Sequence, residues 1–463
     1  MFRISRLNIP GMVEKNFYSA RFISNVPMYD ELKKFQHAMM NNCLHVFTRE
    51  AHKELGPIFK LPIMNLVFIA DPSMSSDLLG TSGERYPKTF IPESWEIHAR
   101  EYGVKRGLIF LAGEEWWEQR SRLNPLMLKS AAITKMNPSI EKEASELLKR
   151  LDGDSSQIQK DVYRSVTKIL LELFIGTSKD FPLDQAIERV IIDNSGLFRG
   201  TTQLMFNPQE HFERKSPEWM MFIGHVDGIL ATLKQGIRAS YKEKLEHGVA
   251  AELFKLGTSL EDVEKIVCDF LLGGVDTTTT SIMWVLHELG QNPDVQERIR
   301  AELKTVCGDN PCSGDVLESI PLMKGLFRET SRLYPAVPFL SRIISKNVKV
   351  GEHILPPGTN VMVSNSAMAF NSTNFPNPSV NKPERWIRDN DMPKDLKNDM
   401  AASVRPFGHG VRMCVGRRVA ENSLLVLVSN IVQNYQVSAE KAEYATKMIG
   451  VPKDKIKISI KPL

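Results

Sequence analysis

The stretch Phe407-Gly408-His409-Gly410-Val411-Arg412-Met413-Cys414-Val415-Gly416 sets one cysteine and one arginine among three glycines, behind an aromatic residue. After it, Ala420, Leu424, Leu427, Val428 and Ile431 recur at helical spacing, which predicts a helix over Arg417 to Asn434. Cys414 therefore stands just ahead of a helix N-terminus. Free N–H groups and the positive end of the helix dipole favour an anion there. A thiolate is such an anion, and a cysteine pKa falls in that setting. Gly408 and Gly410 permit a tight turn whose backbone can lie against something flat. Gly416 lets the helix start close to the same object. Arg412, two residues before the cysteine, would reach a carboxylate. A flat dianion ligated through one thiolate is a haem.

Other chemistries compete for this pattern. A single buried cysteine is usually packing. A glycine-rich run before a helix is often a phosphate loop, but the spacing is not G-x-G-x-x-G and no clear strand precedes it. Zinc would need a second ligand pair, and only His409 is near. Every defined position of F-G-x-G-x-R-x-C-x-G is matched. In this the stretch resembles the haem-binding loop of the cytochrome P-450 family.

Four further groups carry chemistry. Trp116 and Arg120 are four apart in a predicted helix and share a face. An indole N–H and a guanidinium there can both donate to a carboxylate, or the pair is an amphipathic face with a snorkelling arginine. The run Gly273-Gly274-Val275-Asp276-Thr277-Thr278 lies mid-helix, where each glycine costs about 1 kcal/mol relative to alanine. It reads as a close helix crossing with threonines bonding back to their own helix. The resemblance implies instead a distortion over the haem, with Thr277 holding a water against dioxygen and Asp276 relaying protons. Glu329 and Arg332, three apart, read as a surface pair worth roughly a few tenths of a kcal/mol. In the family, Arg385 of Pro383-Glu384-Arg385-Trp386 would join them in a buried triad behind the cysteine loop. Trp386 stands where phenylalanine is usual. The resemblance also implies that Arg120, Arg342, Arg412 and Trp116 hold the haem propionates, and that Phe407 shields the sulfur of the iron ligand Cys414, with Gly416 beside the ring.

Apolar periodicity predicts the elements that position these groups. Helices are expected over Cys43–Leu55, from Gly113, over Asn137–Leu151, Lys160–Gly176, Leu183–Phe198, Trp219–His247, Ser259–Asn292, Pro293–Val306 and Leu322–Tyr334. A short helix starts at Asp71-Pro72. Strands are expected at Ile58–Leu61, Leu66–Ala70, Phe339–Ser345, Asn347–Val350, His353–Leu355, Asn360–Ser364 and Ile456–Lys461, with hairpins at Gly351 and at Pro356-Pro357-Gly358. Arg85–Phe110 and Gly200–Pro217 read as loops. The apolar run Trp219–Ile223 fits core, pocket lining or a membrane-touching face. His353 and His409 read as surface histidines.

The chain has 463 residues and a net charge of +4. Length allows up to three domains, but no linker, repeat or low-complexity tract divides it, so a single large, mainly α domain with small β-sheets is expected. Cys43, Cys268, Cys307, Cys312 and Cys414 form no disulfide framework and suit a reducing compartment. Residues Met1–Met28 hold Arg3, Arg6, Lys15 and Arg21 against Glu14 alone, which reads as a mitochondrial transit peptide or a disordered basic tail. No apolar run approaches the ~18 residues that span a bilayer.

The motifs fall in the family's order from about Cys43 onward. The chain resembles the mitochondrial branch, although the proline-rich segment usual before the first strands is missing. The resemblance implies a haem-thiolate monooxygenase on the matrix side of the mitochondrion that hydroxylates a lipophilic substrate, with sterols the first candidates. It also implies peripheral membrane contact and no nucleic acid. A haem-thiolate isomerase or dehydratase, or a non-catalytic haem sensor, are the rival readings. The electron donor would be a small acidic iron–sulfur ferredoxin. Lys324 and Arg328 share a helix face, and Arg417 and Arg418 extend the basic patch on which it would dock.

Overall fold

The computed structural model describes residues 26–63, 65–81, 86–387 and 392–463. All but the last three residues of the expected basic leader lie outside these. Those three belong to the folded domain: Val26 is buried, and the Lys60 amide donates to the Pro27 carbonyl at 2.9 Å.

Helices follow the apolar spacing. α1 (Leu32–Met40) and α2 (Leu44–Leu55) lead into the antiparallel pair β1 (Ile58–Leu61) and β2 (Leu66–Ile69). α3 (Pro72–Thr81) starts where the Asp71 carboxylate accepts from the Met74 amide at 2.8 Å. The expected Arg85–Phe110 loop instead holds α4 (Glu93–Glu101). Its first turn carries Glu93 and Glu96, which suit the positive helix end, and its buried face is Trp95, Ile97 and His98. α5 (Gly113–Met127), α6 (Ser130–Thr134), α7 (Asn137–Gly153), α8 (Ile158–Phe174) and α9 (Leu183–Gln203) follow. The expected Gly200–Pro217 loop contains the end of α9 and the short α10 (Pro208–Glu213). Then come α11 (Pro217–Glu243), α12 (Val249–Lys255), α13 (Leu260–Gln291), α14 (Pro293–Cys307) and α15 (Pro321–Leu333).

Strands β3 (Phe339–Ile343), β4 (Val348–Val350), β5 (His353–Leu355) and β6 (Asn360–Ser364) come next. The largest sheet has the order β1-β2-β6-β3, with β2 and β6 parallel and Val67 opposite Val361. β4 and β5 close the expected hairpin at Gly351, where φ is +56°. Pro356-Pro357-Gly358 closes no hairpin: β5 pairs with β4, whereas β6 lies between β2 and β3. α16 (Asn365–Ala369), α17 (Lys394–Ser403) and α18 (Arg417–Asn434) complete the helices. β7 (Tyr435–Ala439) pairs with β10 (Ile458–Pro462), and β8 (Tyr444–Thr446) with β9 (Gly450–Pro452).

The main core forms around α13, which packs on α8, α9, α11, α15 and α18. Its residues Trp284, Val285 and Leu286 are wholly buried. Trp219 and Phe222 of α11 join the same core while Met220 reaches solvent, so the apolar start of that helix is mainly core. α13 runs as one helix through Gly273-Gly274, as the expected Ser259–Asn292 helix does. The two glycines make room: a Cβ on Gly273 would lie 3.2 Å from the Ile109 side chain, and one on Gly274 would lie 3.1 Å from Leu170 of α8.

Candidate active site

A cavity of about 440 Å³ opens between α5, α8, α13, β3 and the cysteine loop. The loop is turned by its glycines. Gly410 has φ +72°, and a Cβ there would fall 2.1 Å from the Leu79 carbonyl oxygen, so its bareness serves contact with α3. The Cys414 amide donates to the Phe407 carbonyl at 2.8 Å and closes the turn. Cys414 lies deep in the protein, yet its side chain is accessible because it opens into the cavity. Burial pushes its thiol pKa up. The Gly416 amide, Arg120 and the Arg417 amide oppose this, each favouring a thiolate. Phe407 lines the cavity and packs 6.0 Å from Phe327. A Cβ on Gly416 would meet the Phe270 ring of α13 at 2.6 Å.

Trp116 and Arg120 of α5, Arg342 of β3 and Arg412 all line this cavity. Arg120 donates to Asn124 at 2.8 Å and Arg342 to the Ser341 carbonyl at 2.8 Å. Arg412 donates to the carbonyls of Pro87 (2.9 Å) and Leu111 (2.6 Å), with its guanidinium 4.1 Å from the Trp116 ring centre. Burial, then Arg342 and Arg120, push Arg412 down to about 9. Three guanidiniums that repel one another across one cavity suit a ligand that brings carboxylates. Together with an accessible sulfur held by two amides, the donor set fits a haem with two propionates.

Thr277 lines the cavity, and its hydroxyl donates to the Gly273 carbonyl at 2.7 Å, the back-bond expected of a threonine in a helix. Asp276 is buried and does not line the cavity. Adjacent helical residues point about 100° apart, and Asp276 faces Tyr163 of α8 and Asn194 of α9. Burial raises its pKa to about 6, against the pull of those two side chains.

Glu329, Arg332 and Arg385 come together in the interior, so the pair on α15 is not a surface pair. Glu329 accepts from Arg332 Nε (3.0 Å) and Nη2 (2.8 Å), Arg385 Nε (3.2 Å) and the Lys382 amide (3.1 Å). Trp386 does more than plug a gap: its indole N–H donates to Glu329 at 2.9 Å. The other arginine bonds end on the carbonyls of Ala369, Pro376, Asn377, Pro378 and Val380. The cluster thus fastens the 369–386 segment to α15, rather than the cysteine loop directly. His409 is exposed as expected, whereas His353 is half-buried.

Among the basic residues, Arg328 of α15 and Arg417 of α18 lie close enough that Arg417 lowers the Arg328 pKa, after burial against Trp386. Lys324 pairs with Glu318, Arg417 with Glu421, and Arg418 donates to Ser130 of α6 at 3.4 Å.

Sequence reasoning missed Asp269, which lines the cavity from α13 and accepts from the Gly107 amide at 2.8 Å. A Cβ on Gly107 would lie 2.3 Å from the Lys265 carbonyl oxygen. Burial raises Asp269 to about 7, against Arg106 and the amides of Gly107 and Ile109. Arg106 in turn donates to His98 Nδ1 at 2.6 Å. An arginine cannot accept, so His98 carries its proton on Nε2 and gives it to Asp227 at 3.1 Å. An acid within the apolar run of α13 was the available signal.

The family described as cytochrome P450 matches residues 22–460. The chain belongs to the cytochrome P450 family. It is 29% identical over 86% of its length to "Cytochrome P450 11B2, mitochondrial" of Mesocricetus auratus, covering 83% of that protein. It is 27% identical over 88% to "Cholesterol side-chain cleavage enzyme, mitochondrial" of Oncorhynchus mykiss, covering 83% of it. It is 27% identical over 90% to "1,25-dihydroxyvitamin D(3) 24-hydroxylase, mitochondrial" of Rattus norvegicus, covering 84% of it. In fold it is similar to a zebra fish cytochrome P450 solved with progesterone, at TM-score 0.76 and 19% identity, over 90% of this chain and 99% of that one. As a member of this family the chain is a monooxygenase, and the family implies haem with a cysteine thiolate ligand. Among the described residues no helix is long and apolar enough to cross a membrane.

Proposed function

We propose that this P450 hydroxylates a lipophilic substrate, sterol-like in size and polarity, with electrons from a ferredoxin. The observation that carries the reading is Cys414, held by two amides and opening into a cavity ringed by Arg120, Arg342 and Arg412. Cys414 would ligate the haem iron, the three arginines and Trp116 would hold the propionates, Phe407 would cover the sulfur and Gly416 would leave room beside the ring. Bound there, the haem supplies dioxygen activation at its iron, with the thiolate favouring O–O cleavage. Leu170, Val166, Ile109 and Phe270 give the cavity apolar walls for a lipid. Thr277, with its proton engaged by Gly273, presents lone pairs that would hold a water in the cavity. Asp276 would hold the proton to be delivered. That pair favours oxygen chemistry over a haem-thiolate isomerase or dehydratase, which has no use for a proton relay, and over a non-catalytic sensor.

Arg328 and Arg417 would form the centre of a ferredoxin-docking surface, with Lys324 and Arg418 at its edges. The mitochondrial names of the relatives support that donor and a mitochondrial location, matrix-side and peripheral to the membrane. Residues 1–25 would then act as the address.

The deciding experiment is the carbon monoxide difference spectrum of the reduced protein, wild type against Cys414→Ser. Serine is a poor iron ligand at neutral pH, so the thiolate-type band should vanish; an unchanged band would sink the assignment. Spin-state shifts across a lipid panel identify the substrate. Ferredoxin should support turnover and a diflavin reductase should do so poorly. Reversing charge at Lys324 and Arg328 should raise the apparent Michaelis constant for ferredoxin at low salt, without altering lipid binding.

A further inference from the structure

Asp276 and Thr280 sit one turn apart on the face of α13 that packs on α8 and α9. Opposite them stand Tyr163, half-buried on α8, and Asn194, wholly buried on α9. Tyr163 interacts with both Asp276 and Thr280, and Asn194 with Asp276. Yet among the described residues Asp276 Oδ1 and both polar atoms of Asn194 make no direct hydrogen bond. Three buried polar atoms left bare in one crossing are costly, and proteins satisfy such groups with internal water. The cluster also bridges depth. Asp276 directly precedes the cavity-lining Thr277, whereas Tyr163 is only half-buried.

We propose that Tyr163 and Asn194 hold a buried water against Asp276, and that the Tyr163 hydroxyl passes protons from solvent through that water to the carboxylate. In each transfer Asp276 gives up its proton and takes one from the water. The water takes one from the tyrosine hydroxyl, and the phenol oxygen takes one from solvent. No electron moves, and one proton is carried inward. Asn194 orients the water through its amide and does not itself carry the proton. Both are positioning residues that act through Asp276. The use of this path in catalysis rests on the monooxygenase reading; the water and the exchange do not.

Two measurements decide the matter without turnover. A crystal structure of the haem-loaded protein should show a water within hydrogen-bond distance of Asp276 Oδ1, Asn194 and the Tyr163 hydroxyl. Infrared spectra at pH 5, with Asp276→Asn as the subtraction, should show the Asp276 carboxylic stretch shifting in D₂O. In Tyr163→Phe that exchange should slow by about 100-fold, at the low end of what a placed proton-transfer group supplies. Asn194→Ala should slow it too, while the carbon monoxide spectrum of each variant stays that of wild type. Equal exchange in wild type and Tyr163→Phe, or direct closure of the three groups without water, overturns the proposal. In turnover of cholesterol as the test lipid, Tyr163→Phe should lose ferredoxin-driven product and release peroxide. Its hydrogen-peroxide-driven product should be kept, because peroxide brings its own protons. A wild type inactive by both routes counts against the choice of a sterol, and the exchange rates still decide the role of Tyr163.

Discussion

Glu329→Gln tests the buried cluster with the least change in shape. The carboxylate receives two donors from Arg332, one from Arg385, one from the Lys382 amide and one from the Trp386 indole, at 2.8 to 3.2 Å. Glutamine offers one acceptor oxygen and one NH₂. If its oxygen takes the place of Oε1, its NH₂ points at Arg332 Nε and Trp386 Nε1, both donors. Two bonds become repulsive and two guanidiniums lose their countercharge in a site with no solvent access. Breaking a buried pair on one side costs about 3–5 kcal/mol, against a total stability of about 5–15 kcal/mol. The expected result is an unfolding free energy, from urea titration, lowered by that amount and little haem-loaded protein in the carbon monoxide spectrum. Trp386→Phe is the control. It removes one bond to the carboxylate, worth about 1.5–3 kcal/mol, and should keep its haem. In the Glu329→Gln background Trp386→Phe should cost little, because that bond is already lost. A haem-loaded Glu329→Gln within about 1 kcal/mol of wild type would refute the reasoning.

Thr277→Ala should leave the carbon monoxide spectrum intact while product per electron falls and peroxide rises, because a placed proton-transfer group is lost; unchanged coupling would make Thr277 structural only. Gly107→Ala drives a methyl into the Lys265 carbonyl and should destabilise by about 1–3 kcal/mol, seen as a lower urea midpoint. Asp269→Asn tests linkage. The folded pKa of Asp269, about 7, lies above its ordinary 3.8, so the folded state holds the proton through that window and wild-type stability falls as pH rises from about 4 to about 7. Urea midpoints at pH 5 and 7 should therefore converge in the variant, removing a slope of up to about 1.4 kcal/mol per pH unit; parallel slopes would show that Asp269 is ionised throughout.

The groups legible in the sequence are those whose geometry is local. Trp116–Arg120 and Glu329–Arg332 are each placed on one face by the helix that carries them, so spacing showed that the partners share a face; that Glu329 and Arg332 face inward came from the resemblance, since spacing alone read them as a surface pair. α4 escaped because its nine residues stand between Pro92 and Gly103, and the punctuation outweighed about two and a half turns of pattern. β8 and β9 have only Lys447, Met448 and Ile449 between them, without the glycine turn that gave away the equally short β4 and β5. The contact of Asp269 with Gly107 joins positions far apart in the chain and leaves no periodic trace. The bond from Trp386 to Glu329 was hidden in the same way: the sequence showed an aromatic residue, and only the fold showed where its N–H points. The resemblance assigned Asp276 and Thr277 to one relay, yet a helix sends neighbours to different faces, and here Thr277 lines the cavity and Asp276 faces the α8–α9 crossing.

That division has a counterpart on the other side of the cavity. The segment 106–111 is tied down at three separate places. Its Gly107 amide is held by Asp269 of α13, its Arg106 reaches α11 through His98 and Asp227, and its Leu111 carbonyl is held by Arg412 of the cysteine loop. The same segment supplies Leu108 and Ile109 to the cavity wall. The wall that a lipid would meet is therefore fixed by the same guanidinium proposed to hold a propionate. Arg412 has Trp116 beneath it and carbonyls around it, and burial and two neighbouring guanidiniums disfavour its charge. An anionic ligand relieves that repulsion while leaving the carbonyl bonds in place. Cofactor loading and order in the pocket wall thus draw on one side chain, which is why loss of haem and loss of lipid binding should accompany each other when Arg412 is removed.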